Sequence, residues 1–202
     1  VQGLDVTFAI DRAGLVGEDG PTHAGVYDYA FLRTLPEIII AAPSSESECR
    51  LLLSTCYQYP GPAAVRYPRG KGPGELPDAS LNTVEVGRAV TRREGGSGIA
   101  ILAFGSRVFE ALRAAQNLDA TVIDMRWIKP LDEAMLAQYA DAKLLVTVEE
   151  HERVGGAGSA VGEYYVDQRL SVDLLSLGLP DRYEAHANPD LMLSRTGLDA
   201  HG

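Results

Sequence analysis

Short runs of β-branched and apolar residues alternate with helix-patterned segments along the whole chain. Val6 to Ile10, Ile38 to Ala42 and Ala63 to Tyr67 read as strands in the first part. Between them, Tyr27 to Leu35 carries large side chains at helical spacing. Ser45 reads as an N-cap with Glu48 completing a capping box. Cys49, Leu52, Leu53, Cys56 and Tyr57 then line one face of a helix. Downstream, Val84 to Val90, Ile99 to Phe104, Thr121 to Met125, Leu144 to Val148 and Val172 to Leu177 read as strands. Val108 to Gln116, Leu131 to Ala140, a segment opened by the turn Gly155 to Gly158, and Pro189 to Ser194 read as helices. Parallel strands need crossover segments and helices supply them. The order therefore predicts an α/β fold of two domains, each a mostly parallel sheet flanked by helices. No repeat relates the two halves. The Gly/Pro-rich stretch Gly70 to Pro77 has little to bury, so the division falls there: a first domain over 1–72, a link over 73–83, and a second domain over 84–202.

The 202 residues carry a formal net charge of −10, which repels phosphate backbones and argues against nucleic acid as a partner. No apolar stretch approaches the ~20 residues of a membrane span, and no signal peptide is evident. Cys49 and Cys56 lie two helical turns apart, with Cα atoms ~10 Å from each other, too far for a disulfide. Both read as reduced, core-facing thiols of a cytosol-like compartment.

Chemistry concentrates in the run from Asp11 to Gly25, a glycine-punctuated loop between the first strand and the first helix. His23 sits just before that helix, where a neutral imidazole is favoured and can give or take a proton near pH 7. Its alternative is a histidine that only holds the loop by hydrogen bonds. Asp19 lies across Gly20-Pro21, and a tight turn would bring its carboxylate beside His23 to fix the tautomer; turn capping is its other reading. Arg12 follows the first strand and Arg69 the strand Ala63 to Tyr67, so both fall at the carboxyl edge of the sheet. There they form a candidate clamp for an anionic substrate group, or else structural salt bridges. Arg66, which clusters with Arg69 and Lys71, reads as structural.

Other features tempt less. Gly155-Gly156-Ala157-Gly158 precedes a helix like a phosphate loop but lacks the G-x-G-x-x-G and G-K-[ST] spacings, so close packing of small residues is the better reading. Glu149-Glu150-His151 has metal-ligand residue types without H-E-x-x-H spacing, and no metal site is expected. His186 and His201 lie in polar sequence and read as solvated.

The run Asp11 to Gly25 resembles the bacterial 1-deoxy-D-xylulose-5-phosphate synthases. So do Glu37 to Pro43, Glu48-Cys49-Arg50, Ala64 to Gly70, Trp127 to Asp132, Val148 to His151, Gly155 to Val161 and Gly178 to Asp181. The pattern D-R-A-G-x-x-G-x-D-G-x-T-H-x-G separates that family from transketolases and from 2-oxoacid dehydrogenase β subunits. The resemblance implies a thiamin diphosphate- and Mg2+-dependent enzyme. It joins pyruvate to D-glyceraldehyde 3-phosphate, with loss of carbon dioxide, on the route to isoprenoids, thiamin and pyridoxal. It further implies His23 and Asp19 at the proton transfers, and Arg12 and Arg69 on the substrate phosphate. The family's Gly-Asp-Gly motif for magnesium and diphosphate is not found here, and its pyrimidine-activating glutamate lies upstream of Val1. The chain is then expected to hold the back part of the pyrimidine-binding domain plus the carboxy-terminal domain, to bind neither cofactor nor metal itself, and to need the amino-terminal portion for turnover. A homodimer is implied, in a bacterial cytoplasm or alternatively a plastid. A dehydrogenase β subunit would need that glutamate in its own chain, and a purely assembly-type α/β domain would leave the loop unexplained.

Overall fold

The computed structural model describes residues 3–202. In the first part, β1 (Thr7–Ile10), β2 (Ile39–Ala41) and β3 (Ala63–Arg66) alternate with α1 (Asp28–Leu32) and α2 (Glu46–Gln58). In the second part the order is β4 (Val90–Arg93), β5 (Ile99–Ala103), α3 (Arg107–Leu118), β6 (Thr121–Asp124), β7 (Trp127–Lys129), α4 (Glu133–Gln138), β8 (Leu144–Glu152), α5 (Ala157–Asp167), β9 (Leu174–Leu179) and α6 (Pro189–Thr196). Two sheets result, ordered β1-β3-β2-β7 and β4-β6-β5-β8-β9. Among the described strands, only β7 on β2 and β4 on β6 pair antiparallel. The expected α/β architecture, mostly parallel with helices on the faces, is the one found.

The register of the first sheet places the functional loop. Thr7 and Ile39 both pair with Ala63, and Ile10 pairs with Arg66, so β1, β2 and β3 end at one edge. The segments after β1 and β3 therefore leave the sheet side by side, where open α/β sheets bind ligands.

Three local expectations are corrected. Val84 to Val90 is not a strand. Val84 and Val86 turn their side chains into the first sheet's core, and the Val84 N–H donates to Thr55 Oγ1 at 3.0 Å, so the strand begins only at Val90. The first helix is shorter than Tyr27 to Leu35: after Leu32 the chain bends, and Lys129 Nζ donates to the freed carbonyls of Arg33 and Leu35. The capping box at Ser45 is half formed. Ser45 Oγ accepts from the Glu48 N–H at 3.2 Å, but the Glu48 carboxylate instead makes a two-pronged pair with Arg126, at 2.7 and 2.6 Å.

Strand β7 was not foreseen. It carries Trp127 across to the first sheet, where the indole is fully buried with Ile39, Ala41, Leu52, Cys56 and Val65. On the opposite face, Tyr29, Ile40 and Ala64 share a core with Leu102, Phe104, Ile123 and Tyr165 of the second part. Cys49 and Cys56 are free thiols, and burial pushes Cys56 up to about 12.

Candidate functional site

The loop from Asp11 to Gly25 closes on its own backbone. The Gly14 N–H donates to Gly25 O at 2.9 Å, and the Gly25 N–H donates to Arg12 O at 2.9 Å. Gly25 is required because a Cβ there would overlap the Arg12 carbonyl. At its start the Ala13 N–H donates to Tyr67 O at 3.0 Å, tying the loop to the segment after β3. Arg12 itself adopts φ +59°, a left-handed conformation that costs a non-glycine residue energy and here turns its side chain back along the loop. A short 3₁₀ turn, Gly17–Asp19, then presents Asp19.

The two arginines predicted to converge do so, and they meet on a carboxylate of the loop. Asp19 Oδ2 lies 2.9 Å from Arg69 Nη1 and 3.4 Å from Arg12 Nε; Arg12 Nη1 also pairs with Asp11 at 2.6 Å. Both guanidinium side chains are substantially exposed, 38% for Arg12 and 53% for Arg69, so packing locks neither. Lys71, their neighbour in sequence, instead lines a groove of about 580 Å³ between the starts of α2 and α3.

The expected Asp19–His23 partnership is not formed. Among the described residues no ion pair or hydrogen bond joins them, because the two arginines take the Asp19 carboxylate. His23 is exposed in the turn after Gly20, with Nδ1 3.1 Å from Thr22 Oγ1. Nor does it abut a helix, since α1 starts at Asp28, beyond Ala24 to Tyr27.

Arg66 is structural, as read. It is buried, with Nε 2.8 and 3.0 Å from the Asp28 carboxylate, Nη1 3.0 Å from Tyr29 Oη and Nη2 donating to Glu150 O at 3.0 Å. The guanidinium also lies 4.2 Å from the Tyr29 ring centre.

Glu149-Glu150-His151 closes β8 with three separate tasks. Glu149 accepts from the N–H groups of Ala157 and Gly158, at 2.6 and 2.8 Å, so its carboxylate fills the start of α5 that an external phosphate would otherwise occupy. Burial raises Glu149 to about 7 despite those bonds. Glu150 accepts from the Leu15 N–H at 2.8 Å, inside the loop, and pairs with Arg107 at 2.9 Å. His151 Nε2 accepts from the Tyr29 N–H at 3.0 Å, while Nδ1 lies 2.6 Å from Glu152 O, which fixes a neutral Nδ1–H tautomer. Burial, helped by the Arg66 charge, lowers His151 to about 4. Among the described residues no cluster of His, Cys, Asp or Glu gathers as metal ligands.

Sequence reasoning missed Ser106, Arg107 and Glu150 as supports of the loop. The available signal was the break in apolar pattern at the end of β8, where four polar residues, Glu149 to Glu152, follow one another, and all four are buried.

Comparison with known proteins agrees with this architecture. Residues 1–74 match the transketolase pyrimidine-binding domain and residues 87–202 the transketolase C-terminal domain. The chain is 56% identical, over its whole length, to the 1-deoxy-D-xylulose-5-phosphate synthase of Marinomonas sp. (strain MWYL1), and 57% identical to that of Pseudomonas aeruginosa (strain LESB58). It spans 32% of the length of each, about a third. A solved structure of a split-gene transketolase, described as an inactive β4 tetramer, superposes with a TM-score of 0.86 at 30% identity, covering 98% of this chain and 64% of that one. The chain therefore belongs to the transketolase family, carrying its pyrimidine-binding and C-terminal domains in the form found in 1-deoxy-D-xylulose-5-phosphate synthases.

Proposed function

We propose that this chain is the part of a thiamin diphosphate-dependent synthase that receives the phosphate-bearing substrate. The reaction condenses pyruvate with D-glyceraldehyde 3-phosphate, with loss of carbon dioxide, to 1-deoxy-D-xylulose 5-phosphate. The observation that carries the reading is the meeting of Arg12 and Arg69 on the single carboxylate of Asp19 at the strand ends. Exposed ion pairs contribute ~0–1 kcal/mol, so a phosphate dianion, with more acceptor oxygens and more charge, can displace that carboxylate. His23, exposed on the same loop, takes the proton donor or acceptor role, and Asp19 enters the site through the arginines.

The described residues offer no cradle for the metal and the diphosphate. They form no metal cluster, and the one glycine-rich helix start is filled by Glu149. Thiamin diphosphate and Mg2+ are therefore assigned to the rest of the length seen in the relatives, and no step is routed through them here. The same reading divides the chain at 73–83 and takes the assembled enzyme as a cytoplasmic homodimer.

The test uses an enzyme of the relatives' full length. Arg69→Ala is expected to raise the KM for glyceraldehyde 3-phosphate about tenfold or more and leave that for pyruvate nearly unchanged. His23→Ala is expected to cut turnover far more than cofactor affinity. Equal changes in both KM values would count against a phosphate clamp, and unchanged turnover would remove His23 from the reaction.

A further inference from the structure

The loop carrying Arg12, Asp19 and His23 leaves the first sheet, yet its middle is held by the second. Leu15 and Val26 pack in the second sheet's core with Ile101, Ala103, Val148, Leu179 and Met192. Among the described residues, the Leu15 N–H is the one backbone donor between Asp11 and Gly25 given to the second part of the chain, at 2.8 Å from Glu150 Oε1. Glu150 is itself immobilised. Its other oxygen accepts from Ser106 Oγ at 2.8 Å and pairs with Arg107 Nη2 at 2.9 Å, and Arg107 Nη1 donates to Leu198 O at 2.8 Å. The loop backbone is pressed onto this carboxylate: a Cβ on Gly14 would overlap Glu150, and Gly14 sits at φ +80°.

From this geometry we infer that Glu150 is a positioning residue, which fixes Leu15 and so sets where Arg12 and Asp19 stand relative to Arg69. Leu15 lies midway between Arg12 and Asp19 in sequence. Because the exposed guanidinium groups are not packed in place, their meeting point depends on the backbone beneath them. The inference rests on the synthase reading for its kinetic consequence, but its structural part does not need that reading.

Two variants in an enzyme of the relatives' full length separate positioning from mere stability. Glu150→Gln keeps an oxygen for the Leu15 N–H but loses the charge facing Arg107. Glu150→Ala loses both. Both are expected to lower the melting temperature. Only Glu150→Ala should speed hydrogen exchange at the Leu15 amide, by about tenfold or more, and raise the KM for glyceraldehyde 3-phosphate by a similar factor with pyruvate unaffected. Ser106→Ala, which strands no charge, is expected to produce a smaller change of the same kind. Equal Leu15 exchange in Glu150→Ala and Glu150→Gln, or equal KM values for the phosphate substrate, would overturn the positioning role. A parent enzyme without synthase turnover would sink the functional reading alone, because the exchange comparison decides the positioning role by itself.

Discussion

Arg66 and Arg69 leave the same strand and meet opposite fates. Arg66, the last residue of β3, points into the junction between the two sheets, where five acceptor contacts from Asp28, Tyr29, Gly25 and Glu150 surround it. Arg69 lies past Pro68, outside the ladder, and among the described residues its side chain pairs with Asp19 alone. A charge so enclosed belongs to folding, and one so exposed is free to bind. The same burial governs His151, which stacks on Tyr29 at 4.7 Å between ring centres. Its folded value of about 4 lies below its ordinary 6.5, so the unfolded chain binds the extra proton. Its contribution is present above about pH 6.5 and is lost as pH falls toward 4, up to ~3 kcal/mol in all. Glu149 runs the other way. Raised from 4.5 to about 7, it holds its proton in the folded state, and its contribution fades as pH rises between those values. The two oppose each other between about pH 4.5 and 6.5. His151→Gln, whose amide oxygen can still accept from the Tyr29 N–H, is expected to remove the acid-side loss. Urea midpoints measured from pH 7 to 4 should then converge between parent and variant, whereas parallel curves would show that His151 does not titrate in this range.

At the scale of elements, α2 shows what periodicity reads and what it cannot. The Ser45 cap depends on residues three apart, so its spacing is visible in the sequence, and Ser45 Oγ does accept from the Glu48 N–H. The second half of the box fails because Arg126, remote in sequence, offers Glu48 two charge-assisted bonds where the Ser45 N–H offers one neutral one. Both members of that pair are largely buried, 12% and 10% exposed. Glu48→Gln strands the guanidinium and is expected to cost about 3 kcal/mol or more. Ser45→Ala loses one cap bond and should cost about 1 kcal/mol. Chemical denaturation of the two variants measures the difference, and equal losses would mean that the Arg126 pair adds nothing to the cap. The same distinction explains the rest of the reading. Strands β1, β2, β3, β5, β6 and β8 were legible because apolar β-branched runs mark them locally. Strand β7 was not, because a three-residue strand has no period and is defined by its partner, Ile40-Ala41. In the loop, the Arg12–Arg69 convergence followed from strand-end placement. The Asp19–His23 contact did not form, because it was a local inference in competition with two longer-range charges.

The whole molecule departs most from a picture of two domains on a string. The stretch between Arg66 and Val90 contains no helix or strand, as its glycines and prolines suggest, yet the parts it connects are not independent. Trp127 of the second part completes the first sheet's core, and Leu15 and Val26 of the first part enter the second sheet's core. Tyr29 and Tyr165 belong to one continuous apolar cluster. Removing either part would expose these faces and break the buried Arg66–Asp28 and Arg107–Glu150 pairs' neighbourhoods together, so the cost of separation falls on both at once. Folding should accordingly be cooperative across the junction. Trp127 is the chain's single tryptophan and sits at that junction, so its fluorescence reports the first core directly. In thermal unfolding, the fluorescence transition and the far-ultraviolet circular dichroism transition, which averages both sheets, are expected to share one midpoint. Ile128, one residue further along β7, packs on the opposite side among Leu102, Phe104 and Met125. Ile128→Ala is expected to cost about 2–5 kcal/mol and to shift both signals equally while leaving the probe in place. Separate midpoints, or a dichroism shift that leaves the Trp127 signal unmoved, would instead describe two parts that fold alone.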